Sequence, residues 1–183
     1  MKGRGRPWLR SQRDLFVRRD HFAPGTASQY SNTNYIELGL LIGQGTHLSA
    51  EQAFQRYLWR PLDMDQTSLP SRADTTIPDP LPRGYSQLSR VNHIVDETDW
   101  NPSWGWTVGS VILTEHDLKI WAKALATWHL LSAAMQHERL SFTPHSNNLY
   151  GLLISHFHGF LGHDSRVPGF NSSMFYRRRL ARR

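Results

Sequence analysis

The sequence predicts a mixed α+β fold, on three observations. Helix-capping signals recur through the first 140 residues. Apolar residues at helical spacing follow them. Strand-like segments with turn residues between them gather at the C-terminal end. The 183 residues fit one domain. At 39% apolar residues and 13 glycines the composition is globular, well away from that of disordered chains.

Taken in order, residues 28–34 (Ser-Gln-Tyr-Ser-Asn-Thr-Asn) form a polar turn. Residues 35–42 are apolar enough for a buried helix, with Gly43 and Gly45 as its stop. Ser49-Ala-Glu-Gln52 is a capping box. It opens a helix with Ala53, Phe54, Tyr57 and Leu58 on its apolar face, ended by Pro61. Residues 63–103 hold Pro70, Pro78, Pro80, Pro82 and Pro102 with little periodicity, and are expected to run over the surface. Residues 104–113 alternate weakly, as a strand or extended segment does. Thr114-Glu-His-Asp117 is a second capping signal, and Leu118, Trp121, Ala122 and Leu125 share one face of the helix behind it. A short helix is expected over 132–137. Residues 149–157 and 160–166, joined at Gly159, read as a β-hairpin, and 172–176 as the start of a third strand.

Charge and cysteine content exclude several classes. Without cysteine there is no disulfide framework, thiolate zinc site or cysteine nucleophile. No stretch approaches the roughly 20 apolar residues of a membrane span. Residues 1–20 are basic, with seven basic and two acidic side chains, but no apolar run follows, so they do not read as an export signal. Five arginines fall in residues 177–183, while 21–176 is net acidic. The expected organisation is therefore a basic N-terminal segment (1–20), a folded body (21–176) and a basic tail (177–183). The basic ends raise the question of nucleic acid, but no helix-turn-helix, zinc-finger or RNP signature accompanies them, and no nucleic-acid partner is expected.

Six pieces of sequence, in one order, resemble the serine β-lactamase-like hydrolases. That family takes in class C β-lactamases, serine D-alanyl-D-alanine carboxypeptidases and related esterases. Phe22-Ala-Pro-Gly-Thr26 followed by Tyr30-Ser-Asn-Thr-Asn-Tyr35 resembles the family's Tyr-x-Asn motif. Pro61-Leu-Asp-Met64 with Thr67 resembles its PLGM…T turn, and Gly84-Tyr85 the GY that follows. Gly109-Ser110 with Thr114, Asp117 and Leu118 resembles its GG…ST..DL segment. Tyr150-Gly-Leu152 and the run from Gly162-His163-Asp164-Ser165-Arg166 to Pro168-Gly169-Phe170 resemble the third motif, usually GHxGxxPGF. The likeness covers about residues 14–176. It implies part of a β-lactamase/DD-peptidase-like fold, a helical region plus part of an antiparallel sheet. It implies acyl-serine hydrolysis of a cell-wall peptide, β-lactam or ester, with no cofactor and no metal. By the resemblance Tyr30 is the base or proton relay and Asn32 hydrogen-bonds the substrate amide. His163 lies beside the substrate, and the Arg166 backbone N–H supplies half of the oxyanion hole. Trp104 and Trp106, with Trp100, are candidates for a substrate wall. The sequence leaves carboxypeptidase, β-lactamase and esterase open. Family members mostly work outside the cytoplasm, and this chain's own location is left unassigned.

Two departures qualify this. Acyl transfer needs a nucleophile beside a base, which in this family is the serine of Ser-x-x-Lys. The lysines here are Lys2, Lys119 and Lys123, and His116 and Ile120 stand where the motif serine of the last two would be. The chain therefore reads as a middle piece of a larger domain, expected to be inactive alone, with open sheet edges available for self-association. A non-catalytic peptide- or protein-binding module is the alternative. The second departure is Ser165, where the third motif normally has glycine. A hydroxymethyl group there either narrows the substrate edge or points aside. Two rival readings stand beside this one. His156 and His158 with His163 and Asp164 could suggest a metal site, and Ser31 or Ser110 with a histidine could suggest a triad.

Overall fold

A computed structural model describes residues 21–23, 25–70, 76–87, 93–127, 130–141 and 150–177. The basic segment 1–20 and residues 178–183 of the basic tail lie outside these.

Helix α1 (Asn32–Thr46) begins where Ser31 turns extended and its side chain accepts a hydrogen bond from Thr33 N. It runs through Gly43 and Gly45, both expected to stop it. Each glycine costs a helix about 1 kcal/mol relative to alanine, but the last turn is closed locally. Thr46 Oγ1 donates to Ile42 O at 2.6 Å, and left-handed His47 caps Gly43 O. The helix is also less buried than its apolar run suggests. Only Gly39 is fully covered, while Leu38 and Leu41 face out. A Cβ on Gly39 would lie 2.6 Å from Thr107 Cγ2, so glycine is what lets the helix backbone reach the 106–108 turn.

The Ser49/Gln52 capping box forms as expected, with both reciprocal bonds, at 3.1 and 3.0 Å. Helix α2 (Ala50–Phe54) then widens into a π-turn (Gln55–Trp59) and tightens into a 3₁₀ turn (Arg60–Leu62). The π-turn inserts extra rotation. Trp59 therefore points inward beside Ala50, while Tyr57, expected on the apolar face, is half exposed.

The 63–103 excursion is held at a few points. Strands β1 (Thr67–Ser68) and β4 (Ile112–Leu113) pair, as do β2 (Tyr85–Ser86) and β3 (Val95–Asp96). Residues 104–113 are mostly not extended. They hold 3₁₀ turns (Pro102–Trp104 and Trp106–Val108) before β4. Helix α3 (Glu115–Ala126) starts at Thr114 as expected and is the spine of the molecule. One side packs, through Ala124, Ile120 and Trp121, on Trp59, Leu62, Met64 and Leu69. The other packs, through Ala122, Leu125 and Ala126, on Ile154, Leu161 and Met174. Short helix α4 (Ala133–Arg139) places buried Gln136 and Arg139 so that both donate to Leu125 O near the end of α3.

The main sheet has the order β5 (Ser155–Phe157), β6 (Phe160–Val167), β7 (Phe170–Arg177), all antiparallel. His158 and Gly159, both with positive φ, join β5 to β6 as a two-residue turn. Pro168-Gly169 joins β6 to β7. Where the sequence suggested one strand over 149–157, residues 151–154 fold tightly, with Gly151 N bonded to Ile154 O. This turns Ile154 into the core and brings Tyr150 back beside Ser155. Arg177, placed in the tail by charge, is the last residue of β7. It pairs with Phe160, and its guanidinium lies 5.9 Å from that ring's centre.

Candidate active site

Along β6, residues two apart share a face, so His163 and Ser165 lie on the face that Leu161 anchors in the core. Pairing with β5 ends at Gly162, so the His163–Val167 stretch has an edge with no strand beside it among the described residues. Gly162 itself sits against β7. A Cβ there would be 1.9 Å from Met174 O.

Tyr30 stands just before the α1 cap, 55% exposed. Its ring centre lies 6.3 Å from that of His163. The expected pair is thus brought together, and two further tyrosines join it. Tyr35, on the first turns of α1, and Tyr150, at the bridge to Ser155, place their hydroxyls 2.5 Å apart. Tyr150 Oη is 2.8 Å from His163 Nε2, and Tyr35 Oη is 3.4 Å from it. Tyr30 packs on Tyr35 at 5.6 Å and edge-on to Tyr150 at 6.1 Å. The sequence reading missed Tyr35 and Tyr150 as site residues. Both stand inside quoted motifs, but nothing in their spacing shows that they meet.

Asn32, the first residue of α1, is exposed. Ser165 and Arg166 are exposed on β6 opposite Ser172 and Asn171. Ser165 Oγ approaches Gly109, 3.9 Å from where a Cβ would stand. Trp104 stacks edge-on with Trp100 at 6.1 Å. Trp106 leaves the group. In a left-handed conformation (φ 41°), it packs against the first core beside Gly39. Gly84, from the GY piece, meets the third motif directly, with Phe170 lying over it.

The rival arrangements do not assemble. His158 sits in the turn, not on the strand face of His156. No three metal-ligating side chains converge among the described residues. Ser31 caps α1, and Ser110 Oγ is buried with no hydrogen-bond partner among the described residues.

The site's electrostatics disfavour phenolate. Partial burial, then the hydrogen bond to Tyr35 and the nearby Tyr35 and Asp164 charges, push the Tyr30 hydroxyl up to about 12. Tyr35 and Tyr150 are also raised, chiefly by burial.

This fold and the motifs at its site are those of the β-lactamase-like hydrolases. The Beta-lactamase family model matches residues 7–180, and the chain belongs to that family. A D-stereospecific amidohydrolase from Streptomyces sp. is 28% identical with a TM-score of 0.73, over 81% of this chain and 46% of that one. The D-amino acid amidase of Ochrobactrum anthropi SV3 is 21% identical (TM-score 0.70, 90% and 52% covered) and shares the fold. An unguisins hydrolase of Aspergillus violaceofuscus is 30% identical over 105 residues, 56% of this chain and 18% of that protein. The chain thus spans about half the length of these solved relatives, and less of the fungal one.

Proposed function

We propose that this chain supplies the Tyr-x-Asn and third-motif side of an acyl-transfer site that hydrolyses amide bonds of D-configured substrates. The observation that carries this is the meeting of Tyr30 with His163 beside the open edge of β6. Likeness to the D-stereospecific amidohydrolase favours an amide over a β-lactam or ester. Substrate backbone lies along the His163–Val167 edge, and Ser165 narrows that edge. Asn32 holds the substrate amide. The Arg166 N–H contributes to the oxyanion hole, where fixed donors stabilise the charge that develops. Trp104 closes one wall.

The nucleophile must come from a Ser-x-x-Lys segment, a spacing these 183 residues do not contain. Tyr30 shows why that segment matters twice. At about 12, roughly one hydroxyl in 10⁵ is ionised at neutral pH, against about one in 10³ for an ordinary tyrosine. An adjacent ammonium would reverse that shift.

The test is to assay the purified chain on nitrocefin, on D- and L-amino acid amides and on a nitrophenyl ester. Assays are run alone and with an added segment that carries a Ser-x-x-Lys motif. The expected result is no turnover alone and D-amide hydrolysis on addition, lost in Tyr30→Phe. Steady nitrocefin hydrolysis that tracks the chain alone overturns the proposal. Because the spacing is missing, a second reading is a module that binds peptide, or a second copy of itself, along its sheet edges without chemistry. Retention of D-alanyl-D-alanine peptide, or concentration-dependent oligomers, with no hydrolysis in either assay would favour it.

A further inference from the structure

We propose that Tyr150, braced by Tyr35, is a positioning residue that locks His163 in one tautomer, with the proton on Nδ1 and the Nε2 lone pair turned toward the tyrosines. His163 Nδ1 is bonded to the backbone oxygen of Asp164. A carbonyl oxygen only accepts, so Nδ1 must be the donor. In a neutral imidazole the other nitrogen is then an acceptor. Tyr150 Oη, at 2.8 Å, donates to it. The hydroxyl of Tyr150 has spent its one proton, so the 2.5 Å contact with Tyr35 requires Tyr35 to donate to Tyr150. The hydroxyls therefore run in one direction, Tyr35 to Tyr150 to His163 Nε2. Tyr30 packs against this pair, its ring centre 5.6 Å from that of Tyr35.

The brace is fixed at its base. Thr107 Oγ1 donates to Tyr35 O at 2.8 Å. Tyr150 is held by its bridge to Ser155 at the start of β5. The two tyrosines come from distant parts of the chain and converge on a single ring nitrogen. This changes what His163 does. A neutral ring in this state has no free N–H to offer a substrate on the Nε2 side. It serves as the fixed end of a hydroxyl chain whose other end is Tyr35, with the Tyr30 ring packed against it. The catalytic meaning of that chain rests on the acyl-transfer reading above, but the tautomer does not.

The test reads the ring directly and needs no turnover. The full chain is labelled with ¹⁵N-histidine, and long-range proton–nitrogen correlations are recorded at alkaline pH, where imidazoles are neutral. His163 is assigned by its loss in His163→Gln. The expected wild-type pattern is a pyrrole-like Nδ1 and a pyridine-like Nε2. Tyr150→Phe should move Nε2 downfield, toward a nitrogen that accepts no hydrogen bond. Tyr35→Phe should give a smaller shift of the same sign, and the exposed, remote Tyr57→Phe none. An Nε2-protonated ring in the wild type overturns the proposal. So does an unmoved Nε2 in a Tyr150→Phe chain with unchanged circular dichroism. If Tyr150→Phe does not fold, the wild-type tautomer and the Tyr35→Phe shift decide it.

Discussion

Asp117 is 1% exposed, and one oxygen of its carboxylate takes two hydrogen bonds. Oδ2 accepts from Gln66 N at 2.9 Å and from Thr67 Oγ1 at 2.6 Å, tying β1 to the first turn of α3. Asp117→Ala removes both bonds and leaves the Thr67 hydroxyl buried without its acceptor. Hydrogen bonds to a charged group are each worth about 1.5–3 kcal/mol. A carboxylate in a helix's first turn adds about 0.3–1 kcal/mol. Taking the lower figure for each bond, the expected loss is about 4 kcal/mol. Asp117→Asn keeps an acceptor but loses the charge, and should cost about half as much. For a domain of this size, about 2–4 °C of Tm per kcal/mol gives a fall of roughly 8–16 °C for alanine. Urea titration and differential scanning calorimetry would measure both variants. If Asp117→Ala lowers Tm by less than about 2 °C, the carboxylate is not the tie between β1 and α3. If asparagine is as damaging as alanine, the acceptor geometry counts for nothing and the charge for everything.

Other outcomes follow from the site. Tyr30, Tyr35 and Tyr150 all hold their protons more tightly folded than unfolded. Their stabilisation is therefore complete below pH 10, the ordinary tyrosine value, and is lost as pH rises toward about 12, the folded Tyr30 value. Urea midpoints taken across that window should fall more steeply in the wild type than in Tyr30→Phe or Tyr35→Phe, and parallel slopes would contradict this. Gly162→Ala must push β6 off β7, since its Cβ would overlap Met174 O. Overpacking costs about 1–3 kcal/mol or more, so a urea midpoint within error of wild type would show that the strands are not held as described. The activity assays described above should give no turnover by the chain alone.

Local chemistry was the legible part of this fold. Ser49 with Gln52, Thr114 with Asp117, and Ser132 each cap a helix through bonds that span three residues. A short window contains everything that decides them. The turn at Gly159 was equally readable, because its backbone needs positive φ. What failed was set by partners far away. Helix α1 is the local exception: it outruns its glycines because Thr46 and His47 close its last turn. The π-turn rotates Trp59 inward, where the first core receives it. The site divides the same way. Tyr30 and His163 were legible only through the family motifs that contain them. Tyr35 and Tyr150, separated by 115 residues, meet only once the sheet and α1 are in place.

The contact between Gly39 and Thr107 makes these two positions a single unit of sequence. A side chain at 39 has nowhere to go unless 107 shrinks. Alanine at 39 should thus be tolerated only alongside glycine or alanine at 107. Those same changes remove the hydroxyl that holds Tyr35 O. A packing error there can be repaired by a second substitution, but the repair releases the base of the tyrosine chain. Stability and site geometry would part company in the double variant. Among randomised chains, folding alone would retain combinations at 39 and 107 that a screen for site function would discard.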